Sequence, residues 1–538
     1  MNRIIFSFLL MYLPLGLFAQ THLWVFLEDK GPEVVASLDV PVHETYLQEL
    51  EQLGWSVVST SRWLNAAVIE ADGVDPDQII SLPFVTEIHP AARFERMQVA
   101  PSDIPAPEPE MATSFGRATF QNTLIEVEHL HQKGLLGQGQ VMAVLDAGFL
   151  GVDTIAAFQR LREEGRILAT KDFVEGDAHV FAHHDHGTEV LSTIAADLPE
   201  ELVGTAPQIS VLLARTEDAR SETQIEEHNF VAALEWADSL GADMVHASLG
   251  YSRFRQGKGS YRHEELDGQT AITTRAVDIA ASRGMLITVA AGNEGTSSWR
   301  KITVPCDADS VLCIGAIDRQ RQRASYSSVG PTADGRIKPD VVAFGSGVAV
   351  ARADNRLGSG RGTSLSSPIV AGMAACLWQA HPDAHSQLVI QAIKESSHQF
   401  PQPDNEYGYG IPNARLADSL LQLWQEKPVA EEIVEEALPM APPATLEESY
   451  RLECKSWEES GILFRQKRNQ LILTGTNLPQ VAAQIAVYGP DGLLLPNQLT
   501  MRAKAKRIKL KWKEVPVGKY ELIYSGEEGK FLFPFNLE

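Results

Sequence analysis

The chain of 538 residues carries 46 Lys plus Arg against 70 Asp plus Glu, a net charge of -24, with 44% hydrophobic residues. That acidity argues against a nucleic-acid binder held by phosphate contacts, and the hydrophobic content argues against a disordered chain, allowing two or three cored domains. Four cysteines are too few for a disulfide scaffold.

In the opening MNRIIFSFLLMYLPLGLFAQ, Arg3 precedes an apolar stretch from Ile4 to Phe18 that is short for a membrane span. It reads as a secretory signal over 1–19, cleaved near Ala19 or Gln20, with an uncleaved anchor as the alternative. Residues 20–98 read strand (HLWVFLE), helix (HETYLQELEQLG), two strands (WSVVST, LNAAVIEA), short helix (DPDQIISL) and strand (VTEIHP). That order suits a small α+β ferredoxin-like module. A Pro-rich linker, 99–114, follows it.

From 115 to 426, apolar strand cores alternate with helices: QVMAVLD, ISVLLAR, ADMVHASLG, GMLITVAAGN, VLCIGAID and PDVVAFGSG. Near-continuous apolar strands need cover on both faces, so the expected fold is α/β, a doubly wound, mostly parallel sheet. Cys306 and Cys313 flank an Asp-Ala-Asp-Ser turn and are expected to pair in an exported chain, while Cys376 reads as a buried free thiol and Cys454 stands alone. In GRGTSLSSPIVAGMAACLWQA, residues 360–380, Pro368 is expected in the first turn of a buried helix and Ser364 at its N-terminus. The dipole and free N–H groups there favour a developing oxyanion; the plainer reading of Ser364 is a helix cap. An acidic, Pro-containing linker, 427–447, leads to 448–538, where ILFRQ, QLILTGTN, QIAVYGPDG, RIKLKWK, GKYELIYSG and FLFPF suggest a C-terminal β-sandwich.

Three polar residues fall where an α/β sheet places its active site: Asp146 ends a strand, and His186 and Ser364 open helices. Asp, His and Ser supply the orienter, base and nucleophile of amide hydrolysis, and Asn293 in TVAAGNEG stands between glycines as an oxyanion donor. In order, AVLDAGF, HGTEV, GTAP, ASLGY, VAAGNEG and GTSLSSPIVAG resemble the motif set of the subtilases, the subtilisin-like serine endopeptidases, and YGYGIPNA resembles the segment that closes their catalytic domain. The resemblance implies Asp146, His186 and Ser364 as the triad and Asn293 with the Ser364 N–H as the oxyanion hole. It also implies Ser248, Leu249 and Gly250 as the strand that pairs with extended polypeptide substrates, with no cofactor required.

The sequence departs from the family at four points. Ala147 replaces a usual Ser or Thr, Glu189 replaces a common His, Leu365 replaces Met, and Tyr251 replaces a common Gly, which is expected to set a ring at the edge of the substrate cleft. LNAAVIEADGVDPDQIISLPFVTEIHP resembles the second half of inhibitor-type propeptides, implying a segment that assists folding and blocks the cleft until removed; a permanent accessory domain is the alternative. HHDHGTE holds potential metal ligands without a distant partner at ligand spacing; the resemblance allows a structural calcium ion, though no motif fixes its site. The basic run MRAKAKRIKLKWK reads as a solvated strand face or as a dock for an acidic surface, such as an anionic polysaccharide of the cell surface or the acidic catalytic domain itself. The rival to a secreted endopeptidase is a catalytically silent, subtilase-like surface binding protein; the presence of all four catalytic groups argues against it.

Overall fold

The computed structural model describes residues 21–30, 38–70, 76–92, 115–219, 225–252 and 260–426, together with the strands within 455–537. The expected signal segment, both linkers and Cys454 lie outside the described residues. Two compact units divide the chain after Pro428.

The first unit begins with β1 (Thr21–Leu27), α1 (Glu44–Gln52), β2 (Val57–Ser61), β3 (Ala66–Glu70), α2 (Pro76–Ile80) and β4 (Val85–Ala92). The strands pair antiparallel in the order β2-β3-β1-β4, the expected ferredoxin-like arrangement. Alternation along them divides the module's apolar residues between two cores. Val25, Leu27, Ala67 and Ile69 pack with Leu50 and Ile79 of the module's own helices, whereas Trp24, Phe26, Ala66 and Val68 join the core of the larger domain that follows.

That domain comprises α3 (Thr119–Thr123), α4 (Glu128–Gln132), β5 (Val141–Asp146), α5 (Gln159–Glu163), β6 (Ile167–Asp172) and α6 (His186–Ala195). A two-residue hairpin, β7 (Asp197–Leu198) and β8 (Leu202–Val203), leads to β9 (Ser210–Arg215), α7 (Ile225–Ser239), β10 (Met244–Ala247), α8 (Ile272–Ser282), β11 (Leu286–Ala290), β12 (Val311–Ile317) and β13 (Val341–Phe344). The hairpin β14 (Ser346–Ala351) and β15 (Leu357–Arg361) precedes α9 (Thr363–Ala380), α10 (Ser386–Glu395) and α11 (Ala414–Glu426). Seven parallel strands lie in the order β13-β12-β11-β10-β5-β9-β6. Met142 and Val144 face one core with residues of α6, α9, α10 and α11; Ala143 and Leu145 face the other with residues of α7 and α8. A strand buried on both sides cannot alternate polar with apolar, which is why the sequence reads as unbroken apolar runs.

Cys306 and Cys313 are bridged, with Cα atoms 5.3 Å apart, tying the loop before β12 to that strand. Cys376 is free and buried, and burial raises its thiol above the usual range. Pro368 does not stand in the first turn of its helix. α9 begins at Thr363 with Gly362 in the capping position, so Pro368 lies inside it, and Ser364 is a first-turn residue with no capping role. The helix survives an internal proline because its burial is nearly complete and because a side chain replaces the lost amide, as described below.

The second unit contains β16 (Lys455–Ser456), β17 (Leu463–Lys467), β18 (Gln470–Thr474), β19 (Ile485–Gly489), β20 (Gly492–Leu493), β21 (Leu499–Lys504), β22 (Arg507–Trp512), β23 (Gly518–Gly526) and β24 (Gly529–Leu537). They form two sheets, ordered β16-β24-β23-β19-β20 and β17-β18-β22-β21. In the second sheet Arg465, Lys467, Arg502, Lys504, Arg507, Lys509 and Lys511 share one face by register. Phe464, Leu471, Leu473, Met501, Ile508 and Leu510 share the other.

Candidate active site

The carboxyl ends of the parallel strands and the first turns of two helices converge. Asp146 closes β5 and is fully buried; His186 opens α6 with its side chain 28% exposed, and His186 Nδ1 lies 2.8 Å from Asp146 Oδ1. The Ala147 N–H donates to the same carboxylate oxygen at 2.7 Å, while the Thr216 N–H donates to the Asp146 carbonyl, linking β5 to the end of β9. Asp146 Oδ2 has no hydrogen-bond partner among the described residues, and Ala147 beside it carries no hydroxyl. The chain approaches closely at Gly187: its N–H donates to the Gly148 carbonyl, and a Cβ there would fall 2.4 Å from that oxygen.

Ser364 sits in the first turn of α9, which packs against α6. The N-terminal turns meet over Gly360, where a Cβ would reach within 2.5 Å of Leu365 and 3.3 Å of Glu189. Gly362 has a φ of 149°, and a Cβ on it would lie 2.8 Å from Ser364 Oγ and 3.7 Å from Asn293 Nδ2, so only glycine leaves this space open. Asn293 is held by its oxygen. Oδ1 accepts from the Thr363 N–H at 2.9 Å and from Thr363 Oγ1 at 3.0 Å, which fixes Nδ2 as the donor end turned toward Gly362 and Ser364. Sequence reasoning found Asn293, and Gly362 as a turn residue, but not the role of Thr363; only the contact across the fold joins them.

Ser248 follows β10, and its hydroxyl donates to the Ser364 carbonyl at 2.7 Å. Leu249 and Gly250 continue the segment, closely backed by Thr303, whose Oγ1 would lie 2.1 Å from a Cβ at Gly250. Tyr251 departs from expectation. Its ring is 2% exposed, packed edge-on to Phe230, with its hydroxyl donating to Glu217 Oε1 at 2.6 Å, so it is an interior residue and not a rim of the cleft. Glu189, where the family commonly has His, forms an ion pair with Arg352 at 2.7 Å; burial raises its carboxyl, and Arg352 opposes that rise.

His184 Nδ1 accepts from the His186 N–H, and His183 lies 3.7 Å from Asp172. Among the described residues no group of three His, Cys, Asp or Glu side chains is placed to hold a metal ion.

The subtilase family model matches residues 137–410, half of the chain, and spans every residue of this cluster. The chain belongs to the subtilase family. A second family model, the Bacteroidota propeptide domain of these peptidases, matches residues 28–104. Among curated relatives, subtilisin DY of Bacillus licheniformis is 28% identical over 296 residues, 55% of this chain and 96% of that protein. Subtilisin NAT of Bacillus subtilis subsp. natto is 30% identical over 297 residues, 54% of this chain and 69% of its own. Serine protease AprX of Bacillus subtilis (strain 168) is 29% identical over 312 residues, 52% and 66% respectively. This subtilase is accordingly a subtilisin-like serine peptidase with a propeptide, acting on polypeptides.

The propeptide seats its sheet on α7 and α8. Ser61 Oγ donates to Glu235 Oε1 at 2.5 Å, Arg62 pairs with Asp238 at 3.2 Å, and Ser59 Oγ lies 2.7 Å from His228 Nε2 beside the ring of Trp24. Arg275 on α8 approaches the ring of Phe26. Burial, and secondarily the charge of His22, lowers His228 to about 4.

Proposed function

We propose that this subtilase is an exported endopeptidase that cleaves extended polypeptide through an acyl-enzyme on Ser364. His186 Nε2 takes the Ser364 proton as Oγ attacks the scissile carbonyl, and Asp146 holds the ring by Nδ1 and stabilises the imidazolium. The tetrahedral oxyanion is met by Asn293 Nδ2 and the Ser364 N–H at the head of α9. The protonated His186 then passes its proton to the leaving amine, and water repeats the sequence to release the acid. Side chains and backbone amides supply every step, with no cofactor. Ser248, Leu249 and Gly250 give the main-chain edge on which substrate is laid as a strand.

The observation that carries this reading is the pair of anchored donors and acceptors around the head of α9: Asp146 on His186 Nδ1 and Thr363 on Asn293 Oδ1. The test is reaction of the processed protein with a fluorophosphonate probe followed by peptide mapping. Modification of Ser364 with loss of peptide hydrolysis is expected; a folded, processed protein that leaves Ser364 unmodified would be the silent, surface-binding alternative.

The N-terminal apolar segment acts as the export signal, and the C-terminal segment folds as a β-sandwich that holds the enzyme to an anionic surface polysaccharide through the seven-cation face of β17, β18, β21 and β22. Retention of the full chain on a carboxylated polysaccharide matrix should weaken steeply as salt rises toward 0.1 M and beyond, where exposed charges are screened over about 10 Å. Salt-independent retention, or none at low salt, refutes the contact.

A further inference from the structure

The helix that carries Ser364 lacks one of its own bonds at that residue. In an α-helix the carbonyl of residue i accepts from the amide of residue i+4, and four residues after Ser364 stands Pro368, which has no N–H. The substitute donor is Ser248 Oγ, at 2.7 Å from the Ser364 carbonyl. Behind Ser248 lies His246, on β10 and fully buried, with Nε2 at 2.8 Å from Ser248 Oγ and Nδ1 at 2.9 Å from Thr288 Oγ1 on the neighbouring strand β11.

One arrangement of protons satisfies all three contacts. Ser248 has a single hydroxyl proton and directs it at the Ser364 carbonyl, so its oxygen accepts from His246 Nε2–H. A neutral imidazole then carries its lone pair on Nδ1, which accepts from Thr288 Oγ1–H. The competing acceptor for Thr288, the Val245 carbonyl, is farther away at 3.3 Å. Burial, with the charge of His186 as a smaller cause, lowers His246 to about 3, so the ring is neutral wherever His186 works as a base. The result is a one-way chain of donors, from Thr288 through His246 and Ser248 to the backbone of the nucleophile.

We propose that His246 is a positioning residue for the nucleophile: through Ser248 it supplies the hydrogen bond that Pro368 cannot, and so fixes the first turn of α9 and the aim of Ser364. Ser248 also begins the segment read as the substrate edge, so one relay sets the register of nucleophile and substrate together. An unbranched serine hydroxyl can rotate among three staggered positions. The His246 donor selects the rotor state that leaves the proton on the Ser364 side. The proposal rests on Ser364 as the nucleophile.

The test compares His246→Phe, which keeps a ring and removes both nitrogens, with His246→Asn, Ser248→Ala and the His246→Phe/Ser248→Ala double variant, all as processed protein counted by fluorophosphonate titration of Ser364. Because a small misplacement of reacting groups is costly, His246→Phe and Ser248→Ala are each expected to lower the per-site rates of probe reaction and peptide hydrolysis by about 10- to 100-fold. His246→Asn, which can still donate to Ser248, is expected to recover most of that loss. In the double variant His246→Phe should cost less than about twofold beyond Ser248→Ala, since residues acting as one unit are not additive. Multiplicative losses, or a lowered melting temperature with wild-type rates per titrated serine, overturn the relay. Should His246→Phe not fold, a Ser248→Ala protein with wild-type per-site rates overturns it equally. Failure of the wild-type chain to label at Ser364 refutes the nucleophile itself, a result distinct from either.

Discussion

Ser364→Ala is expected to lower peptide hydrolysis by about a millionfold and to leave the chain folded. The substitution removes one oxygen from a residue already 8% exposed, and the bond from Ser248 goes to the main-chain carbonyl, which alanine retains. Little stability should therefore be lost, and a far-ultraviolet spectrum and melting temperature near those of the parent are expected. Asn293 sets the useful contrast. With the Ser364 N–H still in place, Asn293→Ala should cost about 100- to 1,000-fold. Part of that loss comes from Thr363, whose N–H and hydroxyl both lose their acceptor. Turnover per mole of folded protein compares the two variants, and only Asn293→Ala keeps a serine at 364 for the probe to modify. Undiminished hydrolysis by Ser364→Ala would remove the assigned mechanism.

The central strands were legible because a strand covered on both faces has no polar positions to hide it, as in VMAVLD and VLLAR. The edge strand β6 was not: Ile167–Asp172 is ILATKD, half-exposed and mixed in polarity, with a single neighbour. Strand β21 escaped for the same reason, since LTMRAK alternates basic and apolar residues and reads as a charged run. Asp146, His186 and Ser364 could be seen as residues at the ends of elements. What holds them could not. Ser248 meets Ser364 across 116 positions and Asn293 meets Thr363 across 70, and no periodicity encodes such contacts. Pro368 misled for a related reason: a proline's preference for the first turn is local, while the hydroxyl that replaces its amide comes from another strand. Tyr251 shows the same limit, because a large residue in place of glycine reads as an obstruction until Glu217 and Phe230 are found receiving it.

Acidification should loosen the cleaved propeptide, and His228 gives the direction and the ceiling. In the complex its ring is buried against Trp24 and Ser59, which lowers it from 6.5 to about 4; when the propeptide leaves, water returns to the site and the ordinary value is approached. The free domain therefore binds the proton more readily than the complex. Propeptide affinity is full above about pH 6.5, falls with the pH through the window down to about 4, and is level with respect to this group below that. The gap between the two values limits the effect to about 300-fold. Other charged groups face the same interface. Glu227, next to His228 on α7, turns instead to Tyr261 of its own domain, and burial raises its carboxyl to about 8. Arg62 with Glu235 and Asp238, Arg283 with Asp39, and Arg275 with Glu87 are ion pairs that lose strength only as their carboxylates take protons. His22 and His89 lie on the propeptide side, and the charge of His22 is the smaller cause of the lowering of His228. A His228→Gln variant isolates the contribution, because its amide can still meet Ser59 without titrating. The measurement is the dissociation of cleaved propeptide between pH 7 and 4, followed by recovery of peptidase activity at a fixed assay pH. The wild-type protein should release it progressively faster as pH falls, and the glutamine variant should lose most of the slope between 6.5 and 5. Identical slopes in the two proteins would assign the acid response to the carboxylate pairs and remove His228 from it.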